Sequence, residues 1–157
     1  MGKTRFETRL DKHPRLALDT MVFVYAVENQ DGYRDIVRLL LKRIESGLHT
    51  AYGSMLLLTE LLVSPYRLHQ SHVASEYKSL LRDFPNFKLF PVDAEVADLA
   101  ASMRSRFSLN TPDALHIANA LQQGATAFIT NDKALVKVKD LDVILLNDYL
   151  PPKHPEA

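Results

Sequence analysis

Apolar residues fall along this chain in two rhythms. Short, mostly apolar runs at 16–18, 48–52, 87–92, 125–130 and 143–146 have the length of buried strands. Between them lie stretches with apolar positions every three or four residues, the period of an amphipathic helix. The stretch 31–46 places Ile36, Leu40, Leu41 and Ile44 on one face and stops at Gly47. Ser54 caps a predicted helix at 55–63 that Ser64-Pro65 closes, and a more polar helix follows at 69–82. Asp93 caps another at 94–106. The next helix has Thr111 as N-cap, Pro112 in its first turn, Ala114, Ala118 and Leu121 at helical spacing, and Gly124 as its stop. Short helices are expected at 21–27 and 134–138. Strands alternating with helices predict an α/β layered domain with a mainly parallel sheet of about five strands flanked by helices. In such sheets ligands bind outside the carboxyl ends of the strands.

Composition narrows this picture. A chain of 157 residues, 46% hydrophobic and 24% charged, suits one globular domain with a proper core. Residues 15–150 are expected to form it. Residues 1–14 set Lys3, Arg5, Arg9 and Lys12 against Glu7 and Asp11 before Pro14, and read as a flexible basic arm; 151–157 read as a disordered tail. Nineteen basic and nineteen acidic residues cancel, so any polyanion must be met by a local patch. There is no cysteine, which excludes disulfides and thiolate metal sites, and no apolar run long enough to span a membrane. The first residues lack the apolar core of a secretory signal, so the expected location is the cytoplasm. Phosphate-binding glycine loops and a nucleophile elbow are absent, and the histidines show no zinc-like spacing. His116 reads as helix packing or surface.

Against that background three acids stand alone. Asp19 is the only Asp, Glu, Lys or Arg between residues 16 and 27, Glu60 between 46 and 66, and Asp113 between 107 and 131. Each lies at a strand end or in a helix that directly follows a strand. Taken singly they have ordinary readings. Asp19 can cap a helix, Glu60 can face solvent, and Asp113 gains from a helix dipole. Asp132, beside Lys133, can belong to a common Asn-Asp turn. Taken together, converging carboxylates repel one another and need a cation, and no Lys or Arg is near any of the first three in sequence. An all-oxygen set favours Mg²⁺ or Mn²⁺ over Zn²⁺.

Four short blocks then carry a resemblance. Leu16-Ala-Leu-Asp19-Thr20, Thr59-Glu60-Leu61, Pro112-Asp113-Ala-Leu-His-Ile-Ala118 and Ile129-Thr-Asn-Asp132 resemble, in order, the acidic blocks of PIN-domain ribonucleases, and are most similar to single-domain VapC-type toxins. The resemblance spans roughly residues 15–147 and implies a Rossmann-like PIN fold with Asp19, Glu60 and Asp113 as metal ligands. It implies Asp132 as an accessory acid and Thr20 and Thr130 as supporting hydroxyls. It further implies Mg²⁺- or Mn²⁺-dependent hydrolysis of RNA phosphodiester bonds, a homodimer, and a small antitoxin protein that blocks the site. The basic arm lies outside the family core. Arg67, Arg104, Arg106 and Lys133 are the expected guides for the RNA backbone. The alternative is a catalytically weak PIN-fold module that binds RNA or protein. A phosphatase with Asp-x-Asp after strand one is disfavoured, because Asp19 is followed by Thr20-Met21.

Overall fold

Leu16, Ala17 and Leu18 are all buried, yet they point alternately into two different helical layers, and this alternation sets the architecture. The computed structural model describes residues 2–28, 30 and 32–152. Asp31, the expected start of the long amphipathic helix, and residues 153–157 of the expected tail lie outside them. The strands are β1 (Arg15–Leu18), β2 (Thr50–Ser54), β3 (Phe87–Phe90), β4 (Ala127–Thr130) and β5 (Asp142–Leu145). They form one parallel sheet in the order β3-β2-β1-β4-β5, so the expected α/β class holds. In register, Leu16 lies opposite Ala51 on one side and Ala127 on the other. The chain order reverses direction at β1, and the crevice between the carboxyl ends of β1 and β4 is the switch point where such sheets bind ligands.

The helices are α1 (Arg5–Leu10), α2 (Thr20–Val27), α3 (Arg34–Glu45), α4 (Leu56–Arg67), α5 (Ser71–Asp83), α6 (Ala94–Phe107) and α7 (Thr111–Gln122). Short 3₁₀ turns follow β4 (Lys133–Lys137) and β5 (Leu146–Tyr149). Leu16, Leu18, Ala127, Ile129 and Ile144 pack on one face with Phe23, Leu40, Ile44, Leu57 and Tyr77. Ala17, Phe128, Val143 and Leu145 pack on the other with Met103, Ala114, Ile117 and Ala118. Each large side chain buried this way contributes about 1.5–3 kcal/mol. Gly53 lets α4 pack close on β2: a Cβ there would meet Leu57 Cδ1 at 2.5 Å and Phe87 Cζ at 3.0 Å, so those buried side chains would have to shift. No helix among the described residues is long and apolar enough to cross a membrane.

Three local expectations are corrected. The segment expected to be a flexible arm is a docked helix: Thr4 and Glu7 form a capping box, and Phe6 and Leu10 are buried in the core. Arg9 is held by Asp142 and donates to Tyr149 Oη at 2.8 Å, and His13 bonds Thr126 and Asp142. The α4 helix does not close at Pro65 but runs to Arg67, the lost hydrogen bond being offset by burial of the proline ring. The N-cap of α7 is Asn110, whose side chain accepts from Asp113 N at 2.9 Å; Thr111 and Pro112 are its first helical residues. Gly124 does end that region, with φ of +79°.

Candidate active site

Parallel strands deliver their following loops to one edge, and β1 and β4 are neighbours, so Asp19 and the Thr130-Asn131-Asp132 turn are brought together by topology. Asp19 caps α2: its Oδ1 accepts from Thr20 N at 2.7 Å. Its Oδ2 accepts from Thr130 Oγ1 at 2.6 Å. Thr130 is fully buried, and the same hydroxyl oxygen accepts from Asp132 N at 3.1 Å. One hydroxyl therefore orients two acidic residues. Asp132 in turn caps the 3₁₀ turn through Ala134 N at 2.9 Å.

The other two acids arrive on helices. Asp113 stands in the first turn of α7, half-buried. Its carboxyl is held above the ordinary carboxylate range, chiefly by burial and then by the negative charges of Asp132 and Asp19, with a smaller push from Glu60 and an opposing pull from His116. Glu60, on α4, accepts a long 3.4 Å bond from Thr20 Oγ1 and a close contact from His116 Nε2. His116 lies three residues after Asp113, on the same face of α7, and is almost wholly buried. All four sequence-expected acids are thus brought to one edge, with Thr20 and Thr130 bonded to Glu60 and Asp19.

His116 is buried, as the packing reading had it, and what sequence reasoning missed is its contact with Glu60. The i, i+3 spacing from Asp113 was visible, but its partner Glu60 lies 56 residues away. Two expected RNA guides are occupied elsewhere. Arg106 is paired with Asp140, and Arg104 donates to the Leu109 carbonyl at 3.0 Å. Arg67 and Lys133 are exposed.

Among the described residues, no Lys or Arg pairs with any of the four acids. An all-oxygen set of mutually repelling carboxylates, one already raised, has the donor chemistry of a hard divalent cation site. Their present placement is a looser matter: no three His, Asp or Glu side chains among the described residues are arranged to hold an ion.

Comparison with known proteins bears on the family and the fold. The family model described as PIN domain matches residues 16–141. No curated protein sequence matches the chain. The fold is similar to that of FitAB bound to a DNA fragment, with a TM-score of 0.70 at 21% identity over 88% of this chain and 99% of that one. It is also similar to FitAcB from Neisseria gonorrhoeae, with a TM-score of 0.64 at 21% identity over 83% and 97%. VapBC2 from Rickettsia felis, bound to a promoter DNA fragment, gives 0.64 at 19% identity over 83% and 98%.

Proposed function

The chain belongs to the PIN-domain family, and from that premise we propose that it is a divalent-metal-dependent endoribonuclease of the VapC toxin type. The observation that carries this reading is the gathering of Asp19, Glu60, Asp113 and Asp132 at the β1–β4 crevice, with the Asp113 carboxyl raised first by burial and then by its acidic neighbours.

In this reading Asp19, Glu60 and Asp113 would hold Mg²⁺ or Mn²⁺, and Asp132 would position the attacking water or serve as an accessory ligand. When bound, the cation lowers the pKa of water and neutralises charge that builds on the phosphate. The protein's share is orientation. Thr130 fixes the Asp19 carboxylate and the Asp132 backbone with one hydroxyl, and Thr20 steadies Glu60 from the first turn of α2. Attack in line by water leaves a 5′-phosphate and does not involve the 2′-hydroxyl.

A protein partner is part of the proposal. Similar structures include a toxin–antitoxin complex from Klebsiella pneumoniae, and this chain has a groove between α2, α3 and α5, a cavity of about 1040 Å³ whose apolar lining is Ala26, Val27, Leu41, Leu80 and Phe84 and whose acids are Glu45, Glu76 and Asp83. Such a groove suits the apolar face of an antitoxin helix. The apolar faces of α3 and α4 are otherwise core: Ile36, Leu40, Ile44, Leu57 and Leu61 are all buried. Met55, just before α4, and Val63 and Tyr66 on it remain exposed, which suits a homodimer.

End-group analysis tests the chemistry. Incubation of structured and single-stranded RNA with Mg²⁺ or Mn²⁺ is expected to yield 5′-phosphate and 3′-hydroxyl ends, and none in EDTA. Cyclic phosphate ends, or cleavage that EDTA leaves untouched, overturn the reading; saturable binding without turnover selects the binding-module alternative.

A further inference from the structure

We propose that the outer face of α3 is a track for the RNA backbone, built from Arg34, Arg38 and Lys42. This rests on the nuclease reading and extends it from the reacting phosphate to the flanking strand.

The need for such a track is electrostatic. The candidate site gathers four carboxylates in a protein of zero formal net charge, so a polyanionic substrate meets repulsion unless a local cationic surface lies beside it. Arg106 and Arg104 are committed elsewhere, as described above.

On α3 the pattern is different. Arg34, Arg38 and Lys42 recur every four residues and are exposed, while Ile36, Val37, Leu40 and Ile44 bury the opposite face. That spacing stacks the three cations in one row, about 12 Å long at the α-helical rise. All three line a single cleft of about 280 Å³ together with Tyr25, and Glu45 at its far end is the one acid there. Asp35, the other acid of α3, lines a different cavity against α1. Among the described residues none of the three cations forms an ion pair, whereas Lys3, Arg9, Arg43, Arg82 and Arg106 all do. Arg34 also sits in the first turn, the helix end where a cation is disfavoured. Lys42 lies in the last turn, where a cation is favoured, but neither packing nor helix stability accounts for Arg34 and Arg38.

The row is also anchored to the site. Tyr33, immediately before Arg34, stacks on Tyr25 with ring centroids 3.9 Å apart and planes 6° from parallel. The Tyr25 hydroxyl accepts from Asn131 Nδ2 at 2.9 Å, and Asn131 adjoins Asp132. Asn131 Oδ1 accepts from Asn147 N at 2.9 Å, and the Tyr33 hydroxyl also bonds Asn147. The upper end of the track is thus fixed to the turn that carries an acid of the site, and its lower end descends α3 away from it. A strand whose scissile phosphate reaches the carboxylates can lay its flanking phosphates on Arg34, Arg38 and Lys42.

The test measures anisotropy of a short fluorescein-labelled single-stranded RNA in EDTA across a salt series. It compares the parent with the Arg34→Gln/Arg38→Gln/Lys42→Gln variant and with a charge-matched control, Arg82→Gln/Lys137→Gln/Lys139→Gln; thermal melts check folding. Loss of three phosphate contacts is expected to weaken binding by about tenfold or more at low salt and to flatten the log K against log salt slope by about 2. The control is expected to bind like the parent. In Mg²⁺ the α3 variant should raise KM for RNA with kcat kept within about twofold. If the parent cuts RNA and the α3 variant binds and cuts equally well, the track is wrong and the nuclease reading stands. If the parent neither binds nor cuts RNA, both fall. Unchanged RNA binding with loss of binding to a polyglutamate peptide assigns the row to an acidic protein segment and overturns the proposal.

Discussion

Thr130 Oγ1 donates to Asp19 Oδ2 at 2.6 Å across the ends of neighbouring strands, while its oxygen accepts from Asp132 N at 3.1 Å. A single buried hydroxyl therefore sets the direction of one carboxylate and the backbone of another acid. Thr130→Val keeps the shape and removes the hydroxyl. It is expected to lower metal affinity and RNA cleavage by about 10–100-fold, with Thr130→Ser restoring most of it. Titration with Mn²⁺ and initial cleavage rates check this.

Asp113 carries the strain of the cluster. Its carboxyl is raised by burial and by Asp132 and Asp19, so the ionised form opposes folding at neutral pH. The penalty appears as pH rises above the ordinary carboxylate value and is absent below it. Asp113→Asn is expected to raise the melting temperature of the metal-free protein at neutral pH, with the gain vanishing in acid. Added Mg²⁺ should stabilise the parent and not this variant. Calorimetry across pH, with and without Mg²⁺, reads both effects.

Much of the framework was legible from local rules. Strands read from short apolar runs, Asp93 capping α6 through Val96 N, and Gly124 ending α7 depend only on near neighbours. The isolation of Asp19, Glu60 and Asp113 marked them because α/β topology sends strand ends to one edge. What stayed hidden depends on distant partners. Arg9 looked like a solvated charge because Asp142 lies 133 residues away, and Phe6 looked like one apolar residue in a polar arm. His116 gave no sign of meeting Glu60. The cap of α7 fell one residue early, on Asn110, since Asn and Thr both cap well.

The N-terminal helix makes its own prediction. Phe6 is buried against Tyr149, with ring centroids 5.3 Å apart, and truncating it leaves a cavity. Phe6→Ala is expected to cost about 3 kcal/mol, a drop of roughly 6–12 °C in melting temperature. RNA cleavage per folded molecule should persist, because α1 is clasped at the start of β5, the strand end opposite the carboxylates. Thermal melts and cleavage rates separate the two outcomes.

His49 links this clasp to pH. It is buried, donates from Nδ1 to the His13 carbonyl at 2.7 Å, and accepts at Nε2 from Arg43 Nε at 3.1 Å. Burial, seconded by the Arg43 charge, lowers its pKa despite the His13 bond and nearby Asp11, so the folded protein keeps it neutral. The unfolded chain takes up a proton near 6.5. Its contribution is therefore full above that value and lost as pH falls toward the depressed folded value. His49→Gln is expected to flatten the decline in melting temperature between about pH 7 and pH 5.5.

The most direct measurement is the rate of RNA cleavage in Mn²⁺ by the parent, Asp19→Asn and Glu60→Gln, each with and without EDTA. Hydrolysis at the carboxylate cluster predicts a loss of about a hundredfold or more in each variant and no cleavage by the parent in EDTA. Variants that cut as fast as the parent, with EDTA making no difference, would contradict it.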